Sequence, residues 1–93
     1  MQDDQRFERI RASYSIRSYL ESVGVKVDRQ GFFRCVDPGH EDRTPSAKIN
    51  PSNPELWQCF GCGEKGDVVD LRALHEGCTI GEAASRFDPA RVL

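Results

Sequence analysis

No stretch of this chain approaches the ~20 consecutive apolar residues needed to span a membrane as a helix. No secretory leader is expected: Met1-Gln2-Asp3-Asp4 is acidic and polar where a signal needs a basic start and an apolar core. The expected compartment is therefore the cytoplasm, with no membrane partner. There is no excess of positive charge either. Lys and Arg total 13 against 15 Asp and Glu, a formal net charge of −2, and the two signs interleave along the whole length. That balance excludes a diffusely basic nucleic-acid binder, so any such contact must come from a local patch. No internal repeat or low-complexity tract breaks up the sequence, and there is one Trp and one Met.

What is present points to a single small domain over residues 1–93. A domain of this size removes only roughly 60–65% of its unfolded surface from water, so a further staple helps it fold. The four cysteines are the obvious source. Thiols stay reduced in the cytoplasm, which makes metal binding a better reading than a disulfide framework.

Hydrophobic periodicity divides the chain into three parts. Residues 4–12 read as a helix with Phe7 and Ile10 on one side. Ser15 caps a second helix, in which Ile16, Tyr19, Leu20 and Val23 recur at helical spacing before Gly24 ends it. The period then changes to two. Val25–Val27 and Phe32–Cys35, joined by Asp28-Arg29-Gln30-Gly31, read as a hairpin; 47–50 and 56–59 read as two more strands. Helical spacing returns after Gly66. Asp67 caps a helix carrying Val68, Leu71 and Leu74, which stops at Gly77. Thr79 and Glu82 form a capping box opening a last helix with Ala83, Ala84 and Phe87, which Asp88-Pro89 ends. The expected fold is α+β: a small antiparallel sheet of about four strands, zinc-ribbon-like, over 25–65. It is flanked by helices over 4–23 and 67–88 and holds one structural zinc.

Cys59-Phe60-Gly61-Cys62-Gly63 is a C-x₂-C knuckle whose glycines permit the tight turn that brings two thiolates to one ion. Upstream, Cys35 and His40 bracket Val36-Asp37-Pro38-Gly39. A strand, a turn and a second strand between the two pairs return the chain to the same end of the sheet. Cys35, His40, Cys59 and Cys62 are therefore the expected ligands, and four protein ligands make a closed, structural site. Cys78 or His75 could stand in for His40. Cys78, between Gly77 and Thr79, reads as a small buried hydrophobe, and His75 as an exposed residue near a helix C-terminus. A redox pair at Cys59 and Cys62 lacks the βαβ context such motifs use.

With these residues in place, the run Cys35…His40-Glu41-Asp42-Arg43-Thr44-Pro45-Ser46…Trp57-Gln58-Cys59-Phe60-Gly61-Cys62-Gly63…Gly66-Asp67 resembles the zinc-binding domain of bacterial DnaG-type DNA primases. Glu76-Gly77-Cys78-Thr79-Ile80-Gly81-Glu82-Ala83 looks like that family's closing segment, so the resemblance runs from about residue 7 to 88. Two departures stand out. Four residues rather than two separate the first Cys from the His, and Ala47 replaces a frequent aromatic. The resemblance implies a zinc-dependent module that binds single-stranded DNA and serves a separate primase catalytic domain or a replicative helicase in primer synthesis, without polymerising by itself.

Single strands are held by aromatics that stack on bases beside cations that neutralise phosphates. On that ground Arg34, Arg43, Lys48, Trp57 and Lys65 are the expected DNA contacts. The alternative function is a protein–protein interaction zinc module with no direct nucleic-acid role, which the acidic balance favours. Replacing Arg43 and Lys48 by alanine separates the two, since only the first loses binding.

Overall fold

The computed structural model describes residues 2–36 and 45–87, with side chains from residue 7 onward. Among the described residues the order is α1 (Gln2–Ser13), α2 (Ile16–Ser22), β1 (Phe32–Phe33), β2 (Ala47–Ile49), β3 (Trp57–Cys59), β4 (Lys65–Gly66), α3 (Val68–Glu76) and α4 (Ile80–Phe87). The α+β architecture anticipated from the sequence is found. The four strands form one antiparallel sheet in the order β1-β2-β3-β4.

The caps act where the sequence places them. The Ser15 hydroxyl accepts from the Ser18 amide at 2.9 Å and starts α2. Asp67 and Asp70 exchange side-chain-to-amide bonds at the start of α3, each at 3.0 Å. Thr79 and Glu82 do the same at α4, at 3.0 and 3.1 Å. Gly77 closes α3 in the left-handed region, φ 68°. The expected stop at Asp88-Pro89 lies outside the described residues.

Two expectations about strands are corrected. Val25–Val27 forms no strand; the ladder toward Phe32 amounts to the Asp28 amide, which donates to the Phe32 carbonyl at 3.0 Å. The reason is the turn that follows. The Asp28 carboxylate accepts from the amides of Gln30 and Phe32, both at 2.9 Å, and this tight side-chain-closed turn stops the pairing from continuing. The fourth strand is instead Lys65–Gly66, which folds back from the knuckle onto β3.

α3 lies at the centre of the core. Val68, Val69 and Leu71 are buried, as are Ile16 and Leu20 of α2 and Ala83, Ala84 and Phe87 of α4. Beneath them lies the inner sheet face, formed by Phe33, Ala47, Ile49, Trp57 and Cys59. Side chains alternate along a strand, and the burial alternates with them: Ala47 and Ile49 are buried and Lys48 is not, Trp57 and Cys59 are buried and Gln58 is exposed.

His75 is less exposed than the sequence suggested. It is half-buried, and its Nδ1 lies 2.9 Å from the Tyr19 hydroxyl, linking α3 to α2. Burial, with the nearby Glu76 carboxylate, pushes the Tyr19 phenol up to about 12. Cys78 is half-buried and packs against the core, as expected of a small hydrophobe.

β4 meets α3 through a close approach that only glycine permits. Gly66 has φ +153°, and a Cβ placed there would sit 2.6 Å from Asp70 Cβ and Cγ. Gly66→Ala is expected to displace the Asp70 carboxylate, break the capping box and cost about 1–3 kcal/mol. The midpoint of urea unfolding checks this; an unchanged midpoint would show that α3 starts without the box.

Candidate metal centre and sheet face

Period-2 alternation decides which side each functional residue faces. Cys59 lies at the end of β3 on the inner face, and Cys35 lies two residues beyond Phe33, on the same side. The chain after Cys59 then reverses. The Gly63 amide donates to the Cys59 carbonyl at 2.9 Å, and the Cys59 amide donates to the Glu64 carbonyl at 2.7 Å. Gly63 takes φ +82° in this turn, a conformation a Cβ disfavours. The reversal returns Cys62 toward Cys35.

The result is a cluster in which the Sγ atoms of Cys35, Cys59 and Cys62 all lie within 4.8 Å of one another. The Cys35 and Cys62 sulfurs are 3.6 Å apart. That is far from the ~2.05 Å of a disulfide. It is close to the ~3.8 Å edge of a tetrahedron built on Zn–S bonds of ~2.3 Å. Cys59 is buried, Cys35 half-buried and Cys62 exposed, which puts the metal position at the rim of the core rather than inside it.

The thiol chemistry fits as well. Burial pushes the Cys59 thiol up, but hydrogen bonding from the Ser46 hydroxyl and from the amides of Cys62 and Gly61 outweighs it and brings the group down to about 7. The Ser46 oxygen lies 3.5 Å from Cys59 Sγ, and the Ser46 carbonyl accepts from the Phe60 amide at 3.0 Å. The Pro45-Ser46 end of the Thr-Pro-Ser run thus orients the knuckle and favours the thiolate, the form that binds metal. The chain binds zinc, and an ion held by these three thiolates ties the ends of β1 and β3 together. His40 and Arg43 lie outside the described residues.

The outer sheet face carries the remaining expected residues. Register aligns Phe32 with Lys48, Lys48 with Gln58 and Gln58 with Lys65, a row that crosses all four strands. Lys48 Nζ stands 4.8 Å from the centre of the Phe32 ring, a cation–π contact. Arg34 is exposed just beyond β1. Beside the row lies a groove of about 590 Å³ lined by Lys48, Gln58, Phe60 and Lys65 together with Asn50 and Leu56.

Trp57 is the exception among the expected contacts. It is 3% exposed, packs edge-on to Phe33 with ring centres 6.4 Å apart, and donates its indole N–H to the Asp67 carbonyl at 2.8 Å. It is a core residue, nearly closed to solvent, that borders the same groove. Two residues apart on one strand, Trp57 and Cys59 must share a face, and Cys59 faces the metal; parity alone could have assigned Trp57 inward. The most exposed aromatic among the described residues is Phe60, 65% exposed between the knuckle cysteines; Tyr14, between α1 and α2, is 41% exposed. Reading the sequence missed it, along with Gln58.

A family model described as a CHC2 zinc finger matches residues 2–89. A DNA primase of Aquifex aeolicus is 40% identical over 65 residues, covering 70% of this chain and 12% of that protein. A DNA primase of Chlamydia pneumoniae is 31% identical over 84 residues, covering 89% of this chain and 14% of its own length. Among solved structures, the crystal structure of the Aquifex aeolicus primase, with its zinc-binding and RNA polymerase domains, superposes with a TM-score of 0.70 at 27% identity. That match covers 91% of this chain and 21% of the primase chain. The chain therefore spans only a small part of the length of each of these relatives.

Proposed function

The chain belongs to the CHC2 zinc-finger family, and on that premise we propose that it contacts the single-stranded DNA template in primer synthesis through the outer face of its sheet. Its place is then cytoplasmic DNA replication, beside a primase catalytic domain or a replicative helicase. Polymerisation belongs to that catalytic domain; this module holds the strand. His40 completes the zinc site with Cys35, Cys59 and Cys62.

One observation carries the reading. Lys48, Gln58 and Lys65 stand in register across the strands, with Phe32 at one end of the row and Phe60 beside the other. Neither lysine is engaged by a carboxylate among the described residues, although Arg11, Arg72 and Arg86 all are. Cations without a carboxylate partner beside a half-buried ring, Phe32, and an exposed one, Phe60, suit a phosphate–base–phosphate chain. Arg34 extends the row past β1, and Arg43 is a further proposed contact.

Fluorescence anisotropy of a labelled oligonucleotide against the zinc-loaded protein tests the proposal. Affinity should fall with salt, with a log–log slope of about −0.7 per phosphate neutralised. Lys48→Gln with Lys65→Gln should make that slope shallower by about 1.4, the share of two phosphates. No binding even at low salt would overturn the reading.

A further inference from the structure

The groove on the sheet face does not end at the β2–β3 turn. Ile49, Asn50 and Pro51 line it, and the same three residues line a second groove of about 350 Å³ on the far side of that turn. The second groove is walled by Arg17 from α2 and by Arg29 and Gln30 from the turn before β1. Among the described residues no carboxylate lines either groove, in a chain where acids outnumber bases. Two further depressions do carry acids: Glu64 and Asp70 line one, which Lys65 also borders, and Glu55 lines the other.

The second groove is built from donors on a rigid frame. Arg29 sits in a turn closed by the Asp28 carboxylate, which accepts from the Gln30 and Phe32 amides, and by the Gly31 amide, which donates to the Asp28 carbonyl at 3.1 Å. The Gly31 carbonyl in turn accepts from the Ile49 amide at 2.9 Å, which fixes the turn against the end of β2. Arg17 reaches the Asp28 carbonyl at 3.3 Å through one nitrogen, leaving its other guanidinium N–H groups for a ligand. The side-chain oxygen of Asn50 is taken up by the amides of Ser52 and Asn53, so its NH₂ is what remains. Asp28, next to Arg29, has its Oδ1 engaged by two amides, and Glu21 stands one helical turn from Arg17 on α2.

We propose that a single strand bound on the sheet face continues around the β2–β3 turn and places a further phosphate between Arg17 and Arg29. This rests on the sheet-face reading and extends it. The footprint is then longer than the sheet is wide, and the strand's course is set at two separate points rather than one.

Binding of the zinc-loaded protein to oligothymidylates from about 4 to about 16 nucleotides tests this. Affinity of the unmodified protein should rise with length until both grooves are filled. The double variant Arg17→Gln, Arg29→Gln should match it on the shortest strands. It should stop gaining affinity at a shorter length, and on long strands its salt slope should be shallower by about 0.7 for each phosphate it no longer neutralises. Zinc content and thermal midpoint, read in parallel, should not move. An unchanged plateau length and slope would overturn the second groove while leaving the sheet face intact. Failure of the unmodified protein to bind strands of any length would overturn both.

Discussion

Cys62→Ala is expected to abolish stoichiometric zinc and, with it, the folded sheet. The side chain is exposed, so its loss removes a ligand without opening a cavity. The strands it helps to hold contain two or three residues each, too few for the hydrogen-bonded ladder to stand alone. Structural zinc contributes about 10–16 kcal/mol in small zinc-finger peptides, against a net stability of about 5–15 kcal/mol for an ordinary domain. Cys59→Ala should be at least as severe, because Cys59 is fully buried and also packs in the core. Zinc content by atomic absorption and hydrogen exchange across Ala47–Ile49 and Trp57–Cys59 read the outcome. Native protection in a zinc-free Cys62→Ala protein would mean that the helices alone hold the sheet.

Trp57→Ala is expected to cost about 3–5 kcal/mol, in the range of large-to-small substitutions in cores. Two effects add. The cavity would open between Phe33 and the start of α3, and the Asp67 carbonyl would lose the indole donor that now ties β3 to that helix. Trp57→Phe separates them, since it keeps most of the volume and loses only the hydrogen bond; a penalty of about 1–3 kcal/mol is expected for it. Urea unfolding of the zinc-loaded variants measures both. A Trp57→Ala protein of native stability with weakened DNA binding would return this residue to the outer surface.

Trp57 also shows where the sequence was legible and where it was not. Caps depend on a few adjacent residues, so Ser15, Asp67 and Thr79 located three helix starts correctly. The knuckle is local too, and its two cysteines meet Cys35 as their spacing requires. Strand membership depends on partners that are distant in sequence. Val25–Val27 has the right alternation, but the closed turn at Asp28 ends its pairing with Phe32 after one bond. Lys65–Gly66 has no strand-like composition, yet it lies where the knuckle delivers it against Trp57 and Gln58. Residue type suggested a DNA contact for Trp57; its position relative to Cys59 assigns it to the core. The same parity sends Lys48 and Gln58 outward.

The division between paired and unpaired cations has an effect that the net charge of −2 conceals. Arg72 and Arg86 are held by Glu76, and Arg11 by Asp67 and Glu55, so these positive charges are largely cancelled at short range. Those at Arg17, Arg29, Lys48 and Lys65 form no ion pair among the described residues. The cations at the proposed sheet-face contact are thus left uncompensated at short range, despite a total charge that would repel a polyanion. A strand bound as proposed would feel these cations within a Debye length of about 8–10 Å. If a strand binds the sheet face as proposed, these cations favour one orientation during the encounter, before any base is contacted.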